Sequence, residues 1–379
     1  MIISIIAVLF TFGLVIFLHE FGHFIVCKLV GIRVDAFSFG FGHELLGFTR
    51  GDTHYSVRLI PLGGYVKPAG EDLEEETGGQ EKPAEGPGAS AALAPDMYFA
   101  KPWYVRLGVV LAGPAMNYLL AFALFSGVIL TVGEPTPSDE PVLDEITAGS
   151  PAEAAGLKNG DRILKVAGTE VASWDVMASA IRSSLGREIT IVYRRGTAET
   201  AVKLVPRPAP GDAAQGAIGV ARKVYYKSVP AFKGLAMGLH QCWYWTAFTV
   251  KTLSANITKR QKPDLAGPIG IVNIVSKAAH TGLADLIFLI GLISVAVGFF
   301  NLLPIPLLDG GWAVLFVFEG VFRRRITPVI MKYVNGAGIG LLMTILLFAT
   351  YSDLMRIKTS HDAKKAAAAA QAVPAGGDK

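Results

Sequence analysis

Four stretches of this chain are too long and too uniformly apolar for a soluble fold to bury: residues 2–26, 107–132, 283–303 and 334–351. About 20 helical residues at roughly 1.5 Å each cross the hydrocarbon core of a bilayer. With no water there to satisfy N–H and C=O groups, each stretch must be helical. Composition agrees, since 51% of the residues are hydrophobic and 17% charged, a balance that excludes a disordered chain, a collagen-like repeat and a disulfide scaffold. The net charge of +4 comes from scattered Lys and Arg with one arginine cluster, too dispersed for a nucleic-acid-binding stripe, so no nucleic-acid partner is expected. Cys27 and Cys242 are the only cysteines; any metal must be held by His and carboxylates. A cleavable signal peptide would need a basic segment before its apolar run, and residues 2–26 have none.

Basic residues set the expected orientation. Arg323, Arg324 and Arg325 lie between spans three and four, and Arg50, Arg58, Lys67 and Lys101 between one and two, which makes both connections cytoplasmic. Residues 133–281 then lie outside, on the extracytoplasmic face if the membrane is the inner membrane of a bacterium. Within this frame the chain divides into a first transmembrane helix (1–30), a membrane-associated β-loop punctuated by glycines (31–69), a flexible acidic insertion (70–100) and a second transmembrane helix (101–132). There follow a small α+β domain (140–222), an amphipathic interfacial region (223–282), a third transmembrane helix (283–311), a fourth (334–352) and a disordered tail (361–379). A fifth span at 229–257 is disfavoured by Lys233, His240, Gln241, Lys251 and Asn256.

The chemistry is concentrated in His19-Glu20-Phe21-Gly22-His23. Two His at i and i+4 share one helical face and can hold one Zn²⁺, with the intervening Glu in reach of a water at the metal. The alternative, two His and a Glu satisfied by hydrogen bonds between helices, buries costly groups in lipid without a task. A catalytic zinc takes three protein ligands and keeps one open position. Asp309 fits the third place: it lies in Asn301-Leu302-Leu303-Pro304-Ile305-Pro306-Leu307-Leu308-Asp309-Gly310-Gly311, where prolines and glycines break the helix. With four spans it stands at the same depth as His19. A plain turn remains its other reading.

These motifs, with Gly113-Pro114-Ala115-Met116-Asn117 in the second span, resemble the site-2 protease family of intramembrane zinc metalloproteases, more narrowly the bacterial regulator-of-sigma-E protease group. The resemblance implies His19, His23 and Asp309 as zinc ligands and Glu20 as the catalytic residue. It implies Asn117 and Asn301 beside the substrate, where a buried Asn bonding across helices is the other reading, and Gly64, Tyr65 and Val66 on a β-loop that clamps an extended substrate or is a structural hairpin. Residues 149–163 (Gly149-Ser150-Pro151-Ala152-Glu153 through Ile163) are similar to the turn, helix and strand of a bacterial PDZ domain. Ile218 and Gly219 then match a loop offering backbone N–H groups to a chain-terminal carboxylate, or form a plain closing strand. The group is described with tandem PDZ domains, whereas this chain has room for one.

The expected protein is therefore a polytopic α-helical membrane enzyme with four transmembrane helices, a membrane-associated β-loop and one inserted extracytoplasmic PDZ domain. It is expected to cleave single-span membrane proteins, anti-sigma-factor-like or signal-peptide remnants, already trimmed by another protease. The rival is a non-catalytic PDZ membrane scaffold, which gives Glu20 no purpose. A metal transporter would carry further ionisable residues along a path.

Overall fold

The computed structural model describes residues 2–71, 94–209, 212–258, 267–324 and 328–371. In chain order the elements begin with helix α1 (Ile2–Leu29), strands β1 (Val34–Arg50) and β2 (Thr53–Pro68), and helix α2 (Trp103–Val132). An inserted segment holds β3 (Glu134–Pro137), β4 (Leu143–Ile146), α3 (Pro151–Ala154), β5 (Arg162–Val166), β6 (Thr169–Glu170) and α4 (Trp174–Arg182). It continues with β7 (Ile189–Arg195), β8 (Ala198–Leu204), β9 (Arg207–Ala209), β10 (Asp212–Ala217), β11 (Val220–Arg222) and β12 (Val224–Lys227). Helices α5 (Ala231–Thr258), α6 (Pro268–Thr281), α7 (Leu283–Leu302), α8 (Asp309–Phe322) and α9 (Pro328–Gln371) complete the chain. Two compact units result, one of Met1–Val128 with Ala231–Lys379, the other of Ile129–Pro230.

Among the described helices four are long and apolar enough to cross a membrane: α1, α2, α7 and, within α9, Gly336–Met355. α5 has the length but not the apolarity; it exposes Phe232, Leu239 and Trp243 between polar positions. α1 and α2 meet backbone to backbone, since a Cβ on Gly22 would stand 2.8 Å from the carbonyl carbon of Ala112. Lipid tails supply no hydrophobic drive between such helices, so small residues that permit close approach fix where they cross.

β1 and β2 each fold back on themselves, so two strands build four sheet positions. Residues 34–39 pair on one side with 64–68 and, from Ala36 on, on the other with 54–57, while 46–50 pair with 53–57 across the turn at Gly51. The bends fall at Gly40, Gly42 and Gly63, all at positive φ. Phe17, Phe21 and Phe24 occupy one face of α1 and pack against Phe37, which anchors this sheet beside the helix that carries His19.

Three expectations are corrected. The third transmembrane helix does not run from 283 to 311: it stops at Leu302, Pro304 and Pro306 cannot continue it, and Asp309 is the first residue of a separate helix. The acidic insertion does not extend to residue 100. Residues 72–93 lie outside the described residues, but 94–100 are packed: Arg33 N–H donates to the Asp96 carbonyl, Tyr98 N–H donates to the Ala69 carbonyl, and Tyr98 is buried. The tail is helical to Gln371 rather than disordered from 361, as its alanine and lysine content favours; residues 372–379 lie outside the described residues.

The inserted unit is organised around a β6-β5-β7-β8 sheet, with β4 pairing β11. Its core is Leu143, Ile163, Ile191, Met177, Ile181 and Ile218. Ser150 caps α3 ahead of Pro151, and Ser173 caps α4, each hydroxyl accepting an otherwise unpaired N–H. Asp161 is buried, accepting 2.8 Å hydrogen bonds from Arg195 Nε and Nη2 and from the Lys158 N–H.

Candidate metal centre

His19 and His23, one turn apart on α1, present their Nε2 atoms 3.3 Å from each other with the rings edge to face. Asp309 enters from the start of α8, its Oδ2 3.1 Å from His19 Nε2 and its Oδ1 3.6 Å from His23 Nε2. One donor atom from each residue falls within 4.8 Å of the other two. Asp309 Oδ2 is buried. Two imidazole nitrogens and a carboxylate oxygen converging on one point fit a small divalent cation of the zinc type.

The back wall is α2. His23 Nδ1 donates to the Val109 carbonyl at 2.8 Å, an oxygen that can only accept, so Nε2 of His23 keeps its lone pair for a metal. Gly113 leaves the space the rings occupy: a Cβ there would lie 2.6 Å from His23 Cε1 and 2.8 Å from His19 Cε1. Asp309 is brought in by a similarly tight passage, because a Cβ on Gly310 would stand 2.5 Å from the Leu302 carbonyl carbon.

In front of the three donors is a cavity of about 560 Å³, lined by His19, Glu20, His23 and Asp309 together with Asn301 and Val66. Glu20 thus shares the wall of the donors, with the backbone of Val66 beside its carboxylate. Gly64 and Tyr65 belong to the same outer strand, 64–68, but do not line the cavity; Tyr65 Oη accepts a 2.8 Å hydrogen bond from Arg58. Asn117 is a correction. It does not face the cavity: it is fully buried behind His19, with its Nδ2 3.1 Å from His19 Nδ1.

Ile218 and Gly219 lie in the other unit. The Ile218 side chain is core and its carbonyl accepts from the Ala152 N–H, while Gly219, at φ +77°, accepts from the Thr147 N–H. Sequence reasoning missed Gly113 and the Val109 carbonyl as parts of the site; the Gly113-Pro114 pair was their only signal.

Residues 7–345 match the model of peptidase family M50. A putative zinc metalloprotease of Clostridium acetobutylicum is 30% identical, the alignment covering 93% of this chain and 97% of that protein. A putative zinc metalloprotease of Mesorhizobium japonicum is 33% identical over 91% of this chain and 97% of its own length. The regulator of sigma-W protease RasP of Bacillus subtilis is 27% identical over 93% and 99%. The chain belongs to peptidase family M50, and is a multi-pass membrane zinc metalloendopeptidase that acts in intramembrane proteolysis with Zn²⁺ as its cofactor.

Proposed function

We propose that His19, His23 and Asp309 are the three protein ligands of the zinc and that Glu20 is the catalytic acid and base. The observation that carries this reading is the meeting of three donor atoms from α1 and α8 within 4.8 Å, on the wall of a cavity that also contains Glu20. Zinc bound there supplies Lewis acidity, acidifying water and polarising a scissile carbonyl. Glu20 takes the proton from the attacking water and delivers it to the leaving amine.

A helical substrate keeps its carbonyls in i to i−4 hydrogen bonds and must unwind before attack. The outer strand formed by Gly64, Tyr65 and Val66 pairs with β1 along one edge, and its other edge is the place where an unwound segment adds as a further strand. Asn301, on the cavity wall, contacts that segment. The substrates on this reading are single-span membrane proteins, anti-sigma-factor-like or signal-peptide remnants, first trimmed by another protease.

Residues 140–222 act as a PDZ domain on the extracytoplasmic side of a bacterial inner membrane and admit trimmed substrates. The motif at residues 149–163, the capped α3 and the positive-φ Gly219 between Ile218 and β11 support that assignment. The β1-β2 sheet then faces the cytoplasm, with Arg323 and Arg324, and the two ends of the chain lie on the opposite side.

The test is cleavage of a tagged single-span substrate by purified protein in detergent. Glu20→Gln should lose about 100-fold or more of the activity while retaining zinc, and a chelator should abolish activity in the wild type. Equal cleavage by wild type and variant refutes the assignment. Deleting residues 141–220 should remove discrimination between full-length and trimmed substrates; unchanged discrimination refutes the gating role.

A further inference from the structure

We infer that Asn117 is a positioning residue of the zinc site, whose side-chain oxygen accepts the Nδ1 hydrogen of His19 in the loaded protein and so fixes the tautomer that leaves Nε2 free for the metal. This rests on the ligand assignment above and adds the residue that makes one of those ligands competent.

The two imidazoles are held differently. His23 Nδ1 faces the Val109 carbonyl at 2.8 Å, and a carbonyl leaves no choice of tautomer. His19 Nδ1 faces the carboxamide of Asn117 at 3.1 Å, and a carboxamide has one end that donates and one that accepts. The carboxamide nitrogen faces the ring, while Asn117 Oδ1 is buried with no donor. Nitrogen toward Nδ1 means that Nδ1 accepts, so the ring hydrogen of neutral His19 sits on Nε2, the atom 3.1 Å from Asp309. That tautomer cannot ligate through Nε2. A neutral imidazole that binds metal through Nε2 carries its hydrogen on Nδ1, and the group facing it must then accept.

A half-turn of the amide about Cβ–Cγ exchanges two ends of nearly equal shape and supplies the oxygen. The backbone around the amide is fixed while this happens. Ser294 Oγ of α7 donates to the Asn117 backbone carbonyl at 2.8 Å, and a Cβ on Gly298 would lie 3.2 Å from Asn117 Cβ. Asn117 is therefore clasped between α7 and His19, with rotation of the amide as its remaining freedom. The chemistry also explains an amide at this place. It can turn either end toward His19 and, with its oxygen there, accept the Nδ1 hydrogen without burying a second fixed charge beside Asp309.

The experiment measures zinc affinity by chelator competition on the purified full chain in detergent, for wild type, Asn117→Asp, Asn117→Leu and His19→Ala. Aspartate can only accept, so Asn117→Asp should bind zinc within about threefold of wild type or more tightly, whereas Asn117→Leu should lose about 10- to 100-fold. Wild-type affinity in the leucine variant overturns the inference, and so does an aspartate variant as weak as the leucine one. Size-exclusion and thermal unfolding without metal report whether each variant folds. If the leucine variant does not, the aspartate variant decides, retention supporting the inference and loss overturning it. Wild-type protein that binds no zinc, or a His19→Ala variant that binds it unchanged, defeats the ligand assignment itself and is distinguishable from failure at Asn117 alone.

Discussion

Gly113→Ala places one methyl group where the rings of His19 and His23 stand. The new carbon would lie 2.6 Å from His23 Cε1 and 2.8 Å from His19 Cε1, against an ordinary carbon contact of about 3.5 Å. Relief requires His23 to withdraw by about 0.9 Å, several times the roughly 0.2 Å tolerance of a metal–ligand distance. The ring cannot simply swing away, because Nδ1 is tied to the Val109 carbonyl one turn earlier on the same helix. Nor can α2 shift freely, since Asn117 and the Pro114 carbonyl are packed against Gly298 on α7. We expect Gly113→Ala to weaken zinc binding by at least about 100-fold and to lower cleavage of a single-span substrate by a similar factor. Gly108→Ala on the same helix is the control: a Cβ there meets nothing within 4 Å, and replacing glycine in a helix favours folding by about 1 kcal/mol. Chelator competition and cleavage assays on both variants, with a thermal melt to confirm folding, decide the matter. A Gly113→Ala protein that holds zinc as tightly as Gly108→Ala refutes the reasoning.

Arg106 and Glu319 form a buried 2.6 Å ion pair, with the guanidinium 4.6 Å from the centre of the Phe316 ring; Arg106→Met or Glu319→Leu alone should cost about 3–5 kcal/mol by leaving a lone buried charge. The double variant should recover most of that loss in denaturant titrations. In the inserted unit, burial raises the Asp161 carboxyl pKa, but hydrogen bonds from Arg195 and Lys158 outweigh it and hold the group below the usual carboxylate range. The unfolded chain therefore takes up the proton first, so this contribution is complete above about pH 4 and drains away as pH falls toward the lower folded value. Melts of wild type and Asp161→Asn between pH 6 and 3 should converge at the acid end, and a constant gap would contradict the shift. Zinc removal should lower the thermal midpoint of wild type and of Glu20→Gln alike, because the proposed ligand set leaves Glu20 out, and zinc should restore both; a midpoint indifferent to chelator in either protein would contradict the assignment.

The legible parts of this protein were local in sequence. His19, Glu20 and His23 declare themselves because a four-residue spacing is enough to place two imidazoles on one helical face. Asp309 was found because Pro304 and Pro306 disrupt an apolar run, yet the same prolines also imply what was missed, that the apolar residues from Trp312 to Phe322 begin again as a new helix with Asp309 at its positive end. The glycines of the β-loop announced hairpins but not the doubling by which residues 36–39 pair on both sides. That pairing depends on contacts between segments whose order in space has no local signature.

Asn117 illustrates the remaining gap. Its residue type allowed both a substrate contact and a bond between helices, and only the crossing of α1 and α2 chooses between them. That crossing is set by absences. Gly22 admits the backbone of α2, Gly113 admits the two rings, and Gly310 admits the turn that delivers Asp309. In a soluble core, hydrophobic burial would press such elements together and the apolar pattern would record it. Between helices in lipid that drive is missing, and contact distance is decided by which side chains are small enough to let backbones close. The residues that do the chemistry can thus be read from their own functional groups. Those that set its geometry are glycines with no functional group to read, and their meaning emerges once the partner segment, about 90 residues away in the case of Gly113 and His23, is in place.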